Sequence, residues 1–106
     1  MVQATDETLT VLRKFKEELS RSIAVDELIL FGSRTSGAHH EYSDFDVLVV
    51  SSSFRGIPRH RRAIPCYLTW PGQYPLEVLC YTPEEMERRK SQPGIVSEAL
   101  RTGVRI

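Results

Sequence analysis

Asp44 and Asp46 head the run Asp44-Phe45-Asp46-Val47-Leu48-Val49-Val50. In a strand, residues i and i+2 share a face, so both carboxylates project together from one end of an otherwise apolar element. Two like charges at that spacing repel, and desolvating either one costs free energy. A hard divalent cation resolves the conflict, and carboxylate oxygens suit Mg2+ or Mn2+. A solvated strand end, with the pair capping a turn beside Ser43, also satisfies the charges, and the motif alone does not choose between the two. Gly32-Ser33 is the second element, ending the apolar run Leu28-Ile29-Leu30-Phe31. Glycine lets the backbone turn sharply and approach a ligand, and free N–H groups at a helix start favour phosphate. The Ser33 hydroxyl adds a donor. By itself, Gly-Ser is an ordinary strand-to-helix turn.

Taken together, the two elements say more. Ten residues separate them, which puts a phosphate-cradling turn and a metal-binding pair on successive strands. Gly32-Ser33-Arg34-Thr35-Ser36-Gly37 with Ser43-Asp44-Phe45-Asp46 resembles the polymerase-β-like nucleotidyltransferase superfamily, and within it the minimal nucleotidyltransferases. The segment from Pro75 to Glu85 is similar to that family's third strand and following helix, and the ending from Val96 to Gly103 is similar too. The resemblance implies an α/β (α+β) fold with a small mixed sheet flanked by helices. It implies transfer of a nucleoside monophosphate, AMP from ATP, to an acceptor hydroxyl with release of pyrophosphate. Gly32, Ser33 and Arg34 would then bind the nucleotide. Asp44, Asp46 and a third carboxylate on the next strand, here Glu77, would hold two Mg2+ ions and do the catalysis. The family's usual residue at that third position is Asp. The longer side chain leaves two readings open: a working enzyme, or an impaired member serving as a binding protein, antitoxin or nucleotide sensor. The resemblance further implies a partner, a small helical HEPN-type protein with a tyrosine as acceptor, in a toxin–antitoxin pair.

The elements that must position these residues follow from periodicity. Leu9, Leu12, Phe15, Leu19 and Ile23 recur at helical spacing, predicting an amphipathic helix over 6–23 with Asp6 and Glu7 at its favourable dipole end. Strands are expected at 28–31, 44–50 and 76–81. Thr82-Pro83-Glu84-Glu85 is a helix start with Thr as N-cap, Pro at the first position and Glu three residues on, and that helix should run to about Lys90. Pro93-Gly94 breaks it, and Ile95, Val96, Ala99 and Leu100 predict a last helix ending at Gly103. Pro58, Pro65 and Pro71 interrupt residues 54–74, with room for a short helix between the first two.

Composition bounds the rest. The 106 residues make one domain, 1–106, and 14 basic residues balance 14 acidic ones. That neutrality argues against a long nucleic-acid ligand and makes a polyanionic nucleotide dependent on added cations. No apolar run approaches the roughly 20 residues of a membrane span. The expected setting is the cytoplasm, with Cys66 and Cys80 as buried thiols. Eleven of the basic residues are Arg, a bias toward planar recognition of phosphate or carboxylate. The densest basic patch, Arg55, Arg59, His60, Arg61 and Arg62, reads either as a binding face or as solvated charge, and His39-His40 as solvent-exposed. Tyr67, Trp70 and Tyr74 suit either base stacking or a small core and interface, so a homodimer through this stretch and the strand edge near Glu77 stays open. With residues 25–82 spent on cradle and carboxylates, the two short helices left are too little for an acceptor domain, so acceptor recognition should come from a second protein.

Overall fold

Thr5 opens helix α1 (Asp6–Leu19), its hydroxyl accepting the Thr8 backbone N–H at 3.2 Å. The computed structural model describes residues 4–35 and 44–106. Leu12, Phe15 and Leu19 form the buried stripe of α1. The helix stops before Ile23, because Ser20 turns its hydroxyl back onto the Lys16 carbonyl and the chain tightens into turns. Ile23 still packs against the core that α1 covers.

Strand β1 (Glu27–Phe31) pairs antiparallel with β2 (Phe45–Val50), which pairs parallel with β3 (Leu76–Tyr81). A two-residue strand, β4 (Val104–Arg105), closes the other side in the order β3-β2-β1-β4. Sequence reasoning did not foresee β4, since two residues are too few to show alternation. Gly103 allows it to dock: a Cβ there would press on the Leu30 carbonyl at 2.7 Å and on the Ile29 side chain at 2.8 Å.

Side chains alternate across this sheet and build two apolar layers. Leu28, Leu30, Phe45, Val47 and Val49 face α1 and the 54–74 segment, whereas Ile29, Leu48, Val50 and Tyr81 face the C-terminal helices. The first segment contains α2 (Arg59–Arg62), where a short helix was expected, and α3 (Ile64–Thr69). Pro65 does not interrupt: it sits in the first turn of α3, where a missing N–H breaks no helical bond. Trp70 and Tyr74 belong to the core, Trp70 meeting Phe15 and Phe45 edge-on with centroids 5.0 Å apart.

Helix α4 (Pro83–Arg89) begins with the complete capping box expected of Thr82 and Glu85. Helix α5 (Ile95–Thr102) buries Val96 and Ala99 against β1 and β2. No helix among the described residues is long and apolar enough to cross a membrane.

Candidate active site

The β2–β3 register sets Asp46 directly opposite Glu77, and the β1–β2 register sets Phe31 opposite Asp46 on its other side. Alternation then places Asp46 on the face of Leu48 and Val50, and Glu77 on the face of Leu79 and Tyr81. The carboxylates thus stand at one end of the sheet, where the apolar face toward α4 and α5 runs out. Glu77 is exposed, Asp46 half-buried, and Asp44 exposed just before β2 begins. Burial first, and then the charges of Glu77 and Asp44, push the Asp46 carboxyl above its ordinary range. Asp46 therefore feels both of the other predicted carboxylates.

Gly32 follows β1 with φ of 79°, in the left-handed region that favours glycine. It also lies so close to the carboxylate of Asp46 that a Cβ would collide with it. Glycine is thus required twice, once by the turn and once by the neighbour. Gly32–Thr35 forms a single 3-10 turn rather than the start of a longer described helix, and Thr35 Oγ1 closes it onto the Gly32 carbonyl at 2.6 Å. Ser33 is exposed on this turn.

Arg34 departs from expectation. Its side chain points into the protein, leaving the residue 4 % exposed, with the guanidinium 4.0 Å from the Phe45 ring centroid and 5.1 Å from that of Tyr74. It also donates to Thr8 Oγ1 at 3.2 Å. A cation stacked on the residue between Asp44 and Asp46 ties the glycine turn to the head of β2. In this structure the guanidinium braces the turn from within the protein.

The basic patch is largely spent on structure. Arg62 is buried against Glu85, its Nη1 2.6 Å from Glu85 Oε1, and also donates to the carbonyls of Ile57 and Cys80. The guanidinium holds the Glu85 carboxyl down at about 2. Arg55 pairs with Glu84, and Arg59 lies over the Tyr81 ring at 5.3 Å. Cys66 and Cys80 are buried free thiols, as expected. Hydrogen bonding to Cys80 and burial hold the Cys66 thiol well above its ordinary range, so it is no nucleophile. His39-His40 and Ser43 lie outside the described residues.

A cavity of about 240 Å³ opens at the carboxylates. Asp46 and Glu77 line it together with Phe31, Leu79, Ile95 and Tyr67, the last of which the sequence offered either for base stacking or for a core and interface. Treating Pro65 as a helix start would have put Ile64, Tyr67 and Leu68 on one exposed face. Among the described residues these walls carry two carboxylates and no cation, so a polyphosphate entering here meets repulsion from them that a divalent ion would offset. A larger cleft, about 520 Å³, lies between α1 and residues 69–73; it includes Lys14 and Glu18 but none of these carboxylates.

The residues fit a hard cation in kind: oxygen donors only, close enough to raise the pKa of Asp46. Among the described residues no three His, Cys, Asp or Glu side chains are gathered into a cage. Mg2+ needs none, since it usually takes one or two carboxylates and completes its shell with water and substrate phosphate.

The profile of a family described as "Nucleotidyltransferase domain" matches residues 12–105. The fold is shared with a crystal structure from Sulfolobus solfataricus, of a protein provisionally described as a nucleotidyltransferase. That match has a TM-score of 0.57 and 21% identity, covering 99% of this chain and 89% of the other. No curated protein matches the chain.

Proposed function

From its membership in the nucleotidyltransferase domain family, to which the chain belongs, we propose that it moves AMP from ATP to an acceptor hydroxyl. The observation that carries this reading is the register of Asp46 with Glu77 on adjacent strands, with the Gly32 turn pressed against the Asp46 carboxylate. Asp44, Asp46 and Glu77 would hold two Mg2+ ions, which neutralise the nucleotide's charge and stabilise the attacking and leaving oxygens. The chain's own share is positioning. The Gly32-Ser33 turn receives the terminal phosphates through backbone N–H groups and the Ser33 hydroxyl. Arg34 and Phe45 hold that turn in place from behind. Glu77, the exposed carboxylate, takes the proton of the incoming hydroxyl.

The resemblance to minimal nucleotidyltransferases extends the reading to a protein acceptor, a tyrosine of a small helical HEPN-type partner in a toxin–antitoxin pair. The test combines the chain with Mg2+, α-labelled nucleoside triphosphates and such a partner. Label should move to the partner, ATP should be preferred, and Asp44→Ala with Asp46→Ala should abolish transfer; label unaffected by the double substitution would defeat the assignment. Glu77 supports a second reading, because it replaces the family's usual Asp and an extra methylene displaces a carboxylate whose placement sets the rate. In that reading the chain binds nucleotide or partner without turnover. Glu77→Asp separates them: a loss of transfer marks Glu77 as the working residue, whereas a gain of about a hundredfold marks the native site as impaired.

A further inference from the structure

The sheet order sets the direction of the reaction. The Gly32-Ser33 turn follows β1, Asp46 lies on central β2, and Glu77 lies on β3, the edge strand. In phosphoryl transfer the attacking and leaving oxygens lie roughly in line through phosphorus. With pyrophosphate leaving toward the β1 turn, the nucleophile must arrive from the β3 side. A hydroxyl already stands there. Tyr67, on α3, wraps the open edge of β3, and its Oη donates at 3.3 Å to the carbonyl of Leu76, the residue before Glu77. It lines the same cavity as Asp46 and Glu77, yet is 51 % exposed, and its hydrogen bond to Leu76 is long.

No other described tyrosine is so placed. Tyr81 is buried beneath Arg59 and Arg89, and the Tyr74 hydroxyl lies 3.3 Å from Glu7 on α1. We infer that the chain is its own acceptor, taking a nucleoside monophosphate on Tyr67 Oη within one molecule; this rests on the nucleotidyl transfer proposed above. Tyr67 Oη attacks the α-phosphorus of the nucleoside triphosphate. The Oη–P bond forms, the bond from the α-phosphorus to the oxygen bridging to the β-phosphate breaks, and pyrophosphate departs. The phenol proton passes to the Glu77 carboxylate and on to solvent. The adduct occupies the cavity mouth and competes with any acceptor arriving from outside.

Intact-mass analysis of the purified chain incubated with Mg2+ and ATP tests this. The expected result is one added AMP, mapped by peptide sequencing to Tyr67, at a rate per molecule independent of protein concentration. Tyr67→Phe, which keeps the ring and loses only one long hydrogen bond, should remove the modification while leaving Mg2+-dependent ATP binding, read by calorimetry, unchanged. Modification at Tyr42 or elsewhere, a rate that rises with protein concentration, or an unmodified chain that still labels another acceptor would overturn the inference alone. Absence of Mg2+-dependent nucleotide binding would overturn the nucleotidyl-transfer reading beneath it.

Discussion

Asp46 pays for its position in the metal-free protein, since burial, Glu77 and Asp44 all raise its pKa. Asp46→Asn removes one of three repelling carboxylates, so in chelator the variant should melt above the parent, while transfer falls by roughly 10²–10³-fold. Thermal denaturation and an α-label assay read the two effects in opposite directions, which a merely unfolded variant would not produce. Gly32→Ala should fail on both counts. Adopting φ of 79° with a Cβ costs about 1–2 kcal/mol, and the methyl group must also displace the Asp46 carboxylate. Denaturant unfolding should show the stability loss, and transfer should drop about a hundredfold because the turn and carboxylate can no longer share that space.

At the level of elements, the joint between α2, β3 and α4 has the most at stake. Glu85 closes the capping box of α4 and neutralises Arg62, which is tucked under the β3 edge. Its carboxyl falls from 4.5 to about 2 on folding, so the stabilisation is full above the unfolded value and is lost as pH falls from 4.5 toward 2. The shift corresponds to about 3 kcal/mol at neutral pH. Glu85→Gln should therefore lower stability near pH 7, yet converge on the parent near pH 2, as measured by urea unfolding across that range. Legibility in the sequence followed the same line. The Thr82–Glu85 box could be read because its partners are three residues apart, whereas the Arg62–Glu85 pair spans 23 positions and had no local signature.

For the molecule as a whole, charge decides how ligand and stability couple. Fourteen basic residues balance fourteen acidic ones, and the described walls of the cavity at Asp46 add no cation. Nucleotide alone should therefore stabilise the chain weakly, and Mg2+ with ATP strongly, by about 2.7 kcal/mol at a hundredfold excess over Kd. Differential scanning fluorimetry with ATP, Mg2+ and both together measures this. Asp44→Ala with Asp46→Ala should erase the combined shift.

The sequence by itself determined three of the four strands, the amphipathic α1, the capped α4 and the pairing of Gly32-Ser33 with Asp44 and Asp46, Glu77 being added by the family resemblance. The elements and the two local motifs are legible because alternation, helical spacing and caps depend on neighbours within a few residues. The tertiary structure alone decided that β4 closes the far side, that Arg34 turns inward and that Tyr67 lines the cavity of the carboxylates. Each depends on partners far along the chain: Arg34 meets Thr8 across 26 positions, and Tyr67 reaches the site only because α3 packs beside β3. Which side chain a fold buries, and which it delivers to a site, is settled by packing between such distant segments.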